Sequence, residues 1–282
     1  MLSMSNQWGW TFDSIPDGTR PPTTSGTMGT LVTPAQNSFG SYVTIIAAAD
    51  VDYDVWEWEV RLSQVFAAGN ARNTVMRVGV DPAGGTSFTK VVDLFCGSPG
   101  PAYNLPCTFC FPHRIAAGST IGVALSVNHS TLTAARAQAI IRGRPTRPEI
   151  VRVGKYFEEV GLTLASSSGT AVVQGTTSEG DWTDIGTLTR PCWTWRLGMG
   201  VNNAAQNQSI VHMDMAIGDA SNKRMVFQNY GALMNSNEDS YHYRTSESGN
   251  CEADDGEHVY VRAQSSATAD ANFSMFAVGV GG

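Results

Sequence analysis

The residues with the most evident chemistry stand in "CTFCFPH", residues 107–113. Cys107 and Cys110 have Cys-x-x-Cys spacing, His113 follows, and Cys96 lies upstream. Three thiolates and an imidazole suffice for a tetrahedral zinc site. The chain has five cysteines, the others being Cys192 and Cys251. Its N-terminus, "MLSMSNQWGW", lacks a basic start followed by an apolar run, so no secretory signal is read. A cytoplasm is the expected place of synthesis and folding. There free thiols are the expected state of the cysteines, with zinc and a disulfide as alternatives. No metal or other cofactor is expected.

Two acidic stretches invite a calcium reading. "DVDYD", 50–54, resembles the start of a calcium loop, but such a loop needs Gly at its sixth position and Glu at its twelfth. Val55 and Arg61 stand there. "EADDGE", 252–257, is a second acidic turn, and solvation is the ordinary fate of both. Hydrolase signatures are missing: no G-x-S-x-G, no H-E-x-x-H, no phosphate-cradling Gly-rich loop. The five histidines (His113, His129, His212, His242, His258) have no metal-ligand spacing among them. No enzyme activity is expected.

Binding chemistry has two further candidates. The segment 228–251, "QNYGALMNSNEDSYHYRTSESGNC", is rich in Asn, Ser and Tyr, which supply adaptable hydrogen bonds and flat rings at low entropy cost. Tyr230, Asn235, Asp239, Tyr241 and Tyr243 are its candidate ligand-binding residues. The other candidate is "DVWEWEVRL", 54–62, where Trp56 and Trp58 could form a sugar platform or belong to a core. The pair alternates with acids and continues as Val60 and Leu62, so one face is apolar and the other charged. That pattern reports burial.

The elements that must position these residues are strands. Composition is 42% hydrophobic and only 15% charged, with 29 glycines, a profile of short strands joined by many turns. Alternation recurs at Met76, Val78, Val80 and at Ile121, Val123, Leu125, Val127. No helical period is sustained over a dozen residues. No apolar run is long enough for a membrane span. The net charge of −7 and the lack of a dominant basic patch argue against nucleic acid. Arg142, Arg144, Arg147, Arg152 and Lys155 cluster in one segment that reads as a solvated linker.

The chain also reads as two copies of one unit. "GTLV" at 29–32 aligns with "GTAV" at 169–172, and "GSTIGVAL" at 118–125 with "GEHVYVRA" at 256–263. Trp56 and Trp58 align with Trp193 and Trp195. The spacing stays near 138 residues across more than a hundred positions. The expected fold is all-β: two tandem antiparallel β-sandwiches, jelly-roll-like, from an internal duplication. The expected division is an N-terminal arm over 1–26, a first sandwich over 27–143, a linker or bridging strand over 144–164, and a second sandwich over 165–282. Trp8, Trp10 and Phe12 are the arm's anchoring residues, suited to docking on a neighbouring subunit.

"GSYVTIIAAADVDYDVWEWEV", "VMRVGVDPAG", "FPHRIAAGSTIGVALSV" and "AQAIIRG", in that order, resemble sandwich domains of tailed-phage virion proteins. The closest match is 111–126, where Ala116 stands in place of a frequent proline. The second copy keeps only the glycine and the alternation. The resemblance implies a virion surface protein of a tailed bacteriophage or gene-transfer-agent-like particle, made in the host cytoplasm. It carries no catalytic residues over. The expectation is a non-enzymatic spike, fibre or decoration component, homo-oligomeric, bound to other virion proteins and contacting host surface glycans. A capsid cement protein without receptor role and a carbohydrate-binding module are the alternatives.

Overall fold

The computed structural model describes residues 11–13, 30–63, 73–97, 107–128, 135–143, 152–201, 209–234, 240–242, 249–265 and 272–282. Among them the chain is β throughout, apart from two 3-10 turns at Ala48–Asp50 and Leu164–Ser166.

The first half contributes β1 (Thr11–Asp13), β2 (Thr30–Val32), β3 (Ala35–Gln36), β4 (Val43–Ile46), β5 (Glu57–Ser63), β6 (Thr74–Asp81), β7 (Thr89–Gly97), β8 (Cys107–Phe111), β9 (Thr120–Val127) and β10 (Ala135–Gly143). The second contributes β11 (Tyr156–Val160), β12 (Leu162–Thr163), β13 (Ser168–Val173), β14 (Thr183–Thr187), β15 (Cys192–Val201), β16 (Ser209–Gly218), β17 (Lys223–Met234), β18 (Ser240–His242), β19 (Gly249–Ala253), β20 (His258–Ser265) and β21 (Asn272–Gly281).

Four sheets result. In the first half one sheet runs β2–β10–β5–β8, and the other runs β4–β9–β6–β7. β1 shares the β2 edge of the former, and β3 shares the β4 edge of the latter. In the second half the paths are β13–β21–β15–β19 and β14–β20–β16–β17, extended by β11, β12 and β18. Between β4 and β10 every connection except the β6–β7 hairpin changes sheet, which is jelly-roll topology. The second half follows the same order. The segments that align in sequence fall on matching strands, β2 with β13 and β9 with β20.

Alternation explains the cores. Trp58, Val60 and Leu62 of β5 are buried, as are Trp195, Leu197 and Met199 of β15. Each fully buried side chain of this size stabilises the fold by roughly 1.5–3 kcal/mol. The leading tryptophan of each pair stays at the rim. Trp56 is half-buried with the Arg114 guanidinium 5.4 Å from its ring centroid, and Trp193 has Arg152 at 5.0 Å.

Two segments read as connectors have their own place in the sheets. β1 pairs with β10 of the same chain, with Phe12 opposite Arg142. Trp8, Trp10 and the Phe12 side chain lie outside the described residues. The segment read as a linker or bridging strand contains β11, which follows the basic cluster directly, and Arg152 and Lys155 of that cluster are exposed. β11 pairs with β21, from Tyr156 opposite Gly281 to Val160 opposite Ala277.

One strand of the second half serves the cores of both halves. β21 buries both faces. Met275 and Ala277 join the second core, while Phe276, Val278 and Val280 join the first. Strands buried on both faces read as nearly continuous apolar runs, and "NFSMFAVGVG" does so. Phe276 sits 6.3 Å from Phe95 of β7 and 6.4 Å from Phe109 of β8, centroid to centroid. It thus plugs the mouth between the two sheet edges of the first half. Gly198 and Gly200 of β15 make room for this approach. A Cβ at Gly198 would lie 2.4 Å from the Phe276 ring, and one at Gly200 would lie 2.3 Å from the Phe95 ring.

Candidate functional site

Edge strands present unpaired backbone groups that must be covered or bonded. β7 and β8 are such edges, and side chains of the second half cap them. Arg196 Nε donates to the Cys110 carbonyl at 2.7 Å, and Glu159 accepts the Asp93 backbone N–H at 2.7 Å. The Gly154 N–H reaches the Pro112 carbonyl at 2.7 Å.

Around these bonds the seam opens into a charged cleft of about 500 Å³, with Lys90, His113, Lys155, Tyr156, Glu158, Glu159 and Arg190 in its walls. Glu158 and Glu159 are adjacent on β11 and so project to opposite faces. Glu159 bonds Lys90 Nζ at 2.8 Å, and Lys90 also reaches Asp93 at 3.0 Å. Asp93 in turn receives both Nε and Nη2 of Arg77 at 2.7 Å. Burial, the largest influence on Glu159, raises its carboxyl above the ordinary range. Glu158 accepts from the Thr189 backbone at 2.8 Å, the Thr189 hydroxyl at 2.5 Å and Arg190 Nε at 3.1 Å. Burial works to raise this second carboxyl, but those donors outweigh it and hold the group below its ordinary value. One glutamate is thus held ionised while its neighbour is harder to ionise. Both are committed as acceptors across or beside the seam.

His113 closes the cleft from the first half. Its Nδ1 accepts the Trp58 indole N–H at 3.4 Å, and its ring lies 4.9 Å from that of Phe157. Burial pushes its pKa down to about 4. The imidazole is neutral near pH 7, with its proton on Nε2.

A second opening of about 600 Å³, farther along the seam, is neutral. Asn37, Asn73 and Asn128 face Thr163, Ser166, Ser168 and Thr170 there. The Ser167 hydroxyl joins the halves, 2.8 Å from Ser126 Oγ and 3.2 Å from Asn37 Oδ1.

Of the residues singled out from sequence, His113 lines the cleft, and the others that are described fall elsewhere. Cys96 points into the first core, and its thiol donates to the Leu94 carbonyl at 3.6 Å. Cys110 faces the other way and donates to Glu57 at 2.9 Å. The side chain of Cys107 lies outside the described residues. Among the described residues no three His, Cys, Asp or Glu side chains are grouped to hold a metal. Cys96, Cys110, Cys192 and Cys251 are free thiols. Tyr230 is only 5% exposed and packs on Phe227 at 5.3 Å within the second core. That burial takes it out of any binding surface. Tyr241 is placed in β18, opposite Leu233, with its side chain outside the described residues. Asn235, Asp239 and Tyr243 lie outside them altogether. Sequence reasoning missed Lys90, Glu158, Glu159 and Arg190. The doublet "EE" on an alternating "YFEEV" was the available signal, in a segment read as a linker or bridging strand.

No protein-family model matches the chain, and no curated protein sequence matches it. Among solved structures it is similar to PNGF-II, with a TM-score of 0.38 and 9% identity, covering 95% of this chain and 65% of that one. The chain therefore spans a little under two thirds of PNGF-II. It is similar to the tandem CBM22-1–CBM22-2 domains of Paenibacillus barcinonensis Xyn10C, with a TM-score of 0.28, 10% identity, and coverage of 99% and 96%. It is also similar to the T=1 Penaeus vannamei nodavirus, with a TM-score of 0.26, 9% identity, and coverage of 96% of both chains. Likenesses this loose say nothing of what the chain binds or does.

Proposed function

We propose that this chain is a non-enzymatic structural protein of a phage-like particle, a surface spike, fibre or decoration component that meets host surface glycans. The seam is the observation that carries the reading. Its polar side chains bond each other and edge backbone groups, beside a strand, β21, that contributes to the cores of both jelly rolls. Arg196, Glu159 and Lys90 each bond across that junction, and Glu158 is held beside it by Thr189 and Arg190. Such commitment suits a packing part, because a general acid or base needs a proton free to move.

The segment that carries the virion resemblance supports the reading by its place. Phe111 ends β8, Ile115 exchanges backbone hydrogen bonds with Val55, and β9 begins at Thr120. The motif thus builds a crossing between the two sheets of the first jelly roll. The repeated strand order supports an internal duplication. A protein of this kind works as a symmetric oligomer with other particle proteins as partners.

Mass photometry of the purified protein, followed by retention on host cells, tests the proposal. A defined homo-oligomer that cells retain is expected. A monomer that binds neither cells nor particles would overturn it. An oligomer that ignores cells but joins particles would replace the receptor role with that of a cement protein.

A further inference from the structure

We propose that Tyr42 and Phe88, on the outer face of the β4–β9–β6–β7 sheet, form a platform for a neutral pyranose sugar. This names a place and a ligand class for the surface contact proposed above, and it rests on that reading only for where the ligand is met.

Gly79 of β6 and Gly122 of β9 are cross-strand partners. Two facing glycines leave a bare patch of sheet, and two rings cover it. A Cβ at Gly79 would meet Cε1, Cζ and Oη of Tyr42 at 2.6, 2.9 and 3.0 Å. One at Gly122 would meet Cε1, Cζ and Cε2 of Phe88 at 2.7, 2.7 and 3.0 Å. Near-equal distances to three consecutive ring carbons place Gly122 beneath the face of Phe88, whereas the nearest atoms at Gly79 include the phenol oxygen and place it beside the Cε1–Oη edge of Tyr42. The Phe88 ring therefore lies flat on the strands, and the Tyr42 ring leans over Gly79 by its hydroxyl-bearing edge. Their centroids are 5.1 Å apart at an interplanar angle of 34°. Both are half-buried, so part of each ring is open to solvent.

The surroundings fit a sugar. The outward π faces are negative and attract the polarised C–H groups of a pyranose. Beside them Arg77, stacked 3.8 Å from the Phe39 centroid and held through Nε and Nη2 by Asp93, keeps Nη1 N–H groups as donors for hydroxyls. Lys90, opposite Gly79 in the ladder, adds an ammonium. The rim sets two cations, Arg77 and Lys90, against two anions, Asp93 and Glu159, so it favours no charged ligand. The matching position of the second jelly roll differs: Ala216 and Tyr260 stand as partners there, and Trp182 lies over Arg262 at 4.3 Å.

Calorimetric titration of the full chain with cellohexaose, maltohexaose and galactohexaose, beside hexagalacturonate, tests the inference. At least one neutral oligosaccharide should bind. Tyr42→Ala and Phe88→Ala should each weaken it about tenfold or more, and Phe88→Tyr should keep it. Tyr42→Leu and Phe88→Leu keep the glycines covered without a flat ring. They should weaken binding equally while melting like the parent, which separates lost stacking from lost fold. No binding of any neutral oligosaccharide would overturn the inference. So would preference for the uronate, or leucine variants that bind like the parent. A Tyr42→Leu protein that loses the sugar yet still joins particles would support the platform and leave the particle reading intact.

Discussion

Arg196 and Cys110 are 86 positions apart in sequence, yet the Arg196 Nε donates to the Cys110 carbonyl at 2.7 Å in the buried seam. The same guanidinium reaches the Trp195 carbonyl at 2.9 Å and Thr194 Oγ1 at 3.2 Å. It lies 5.7 Å from the Phe111 centroid. One side chain thus finishes an edge strand of the first jelly roll from a central strand of the second. Arg196→Met should keep the packing and orphan the carbonyl. The expected loss is about 1–3 kcal/mol in denaturant unfolding. An unchanged midpoint would show that water serves that carbonyl equally well.

Phe276 should matter more. Truncation to Ala opens a cavity between Phe95 and Phe109, with an expected loss of about 3–5 kcal/mol. Gly198→Ala should be costly as well, because its Cβ would meet the Phe276 ring at 2.4 Å and the Phe95 carbonyl oxygen at 2.9 Å. Thermal melts of both variants check this. A Gly198→Ala protein as stable as the parent would contradict the close approach of β7 to β15.

His113 gives the fold a pH dependence of definite sign. Its pKa is about 4 when folded, against an ordinary 6.5 when unfolded. Between those values the unfolded chain binds more protons, so stability rises with pH. Its contribution is complete above about pH 6.5 and is lost as pH falls towards 4, by at most about 3 kcal/mol. Urea unfolding at pH 4.5, 5.5 and 7 should show the slope. His113→Gln should remove it.

Thiol reactivity should follow burial. Burial raises the Cys110 thiol well above its ordinary range and pushes Cys192 up to about 12. Thiolates are the reactive form, so both should resist alkylation in the native state. Cys251 is only half-buried, and iodoacetamide should label it before Cys96, Cys110 and Cys192. Peptide mass spectrometry of the alkylated protein reads the order.

Much of this architecture was legible in sequence. The alternation in "WEWEVRL" and "WTWRLGM" placed Trp58 and Trp195 in cores, because period-two patterning reports which side is buried. It could not report what covers the other side. Thr194, Arg196, Gly198 and Gly200 look solvent-facing by alternation, yet the neighbouring jelly roll buries that face. Chain distance hid the rest. Glu159 meets Lys90 across 69 positions, and Tyr42 meets Phe88 only because Gly79 and Gly122 are brought together by register. The aromatic pair that drew attention as a sugar platform belongs half to the core. The rings that cover the facing glycines belong to residues with no local signature.

The most direct test of the central claim is rebinding of the purified chain to particles prepared from a host strain lacking its coding sequence. Saturable rebinding at a fixed number of copies per particle, read by sedimentation and quantitative mass spectrometry, is the predicted result. A chain that stays in the supernatant at every concentration would contradict the account.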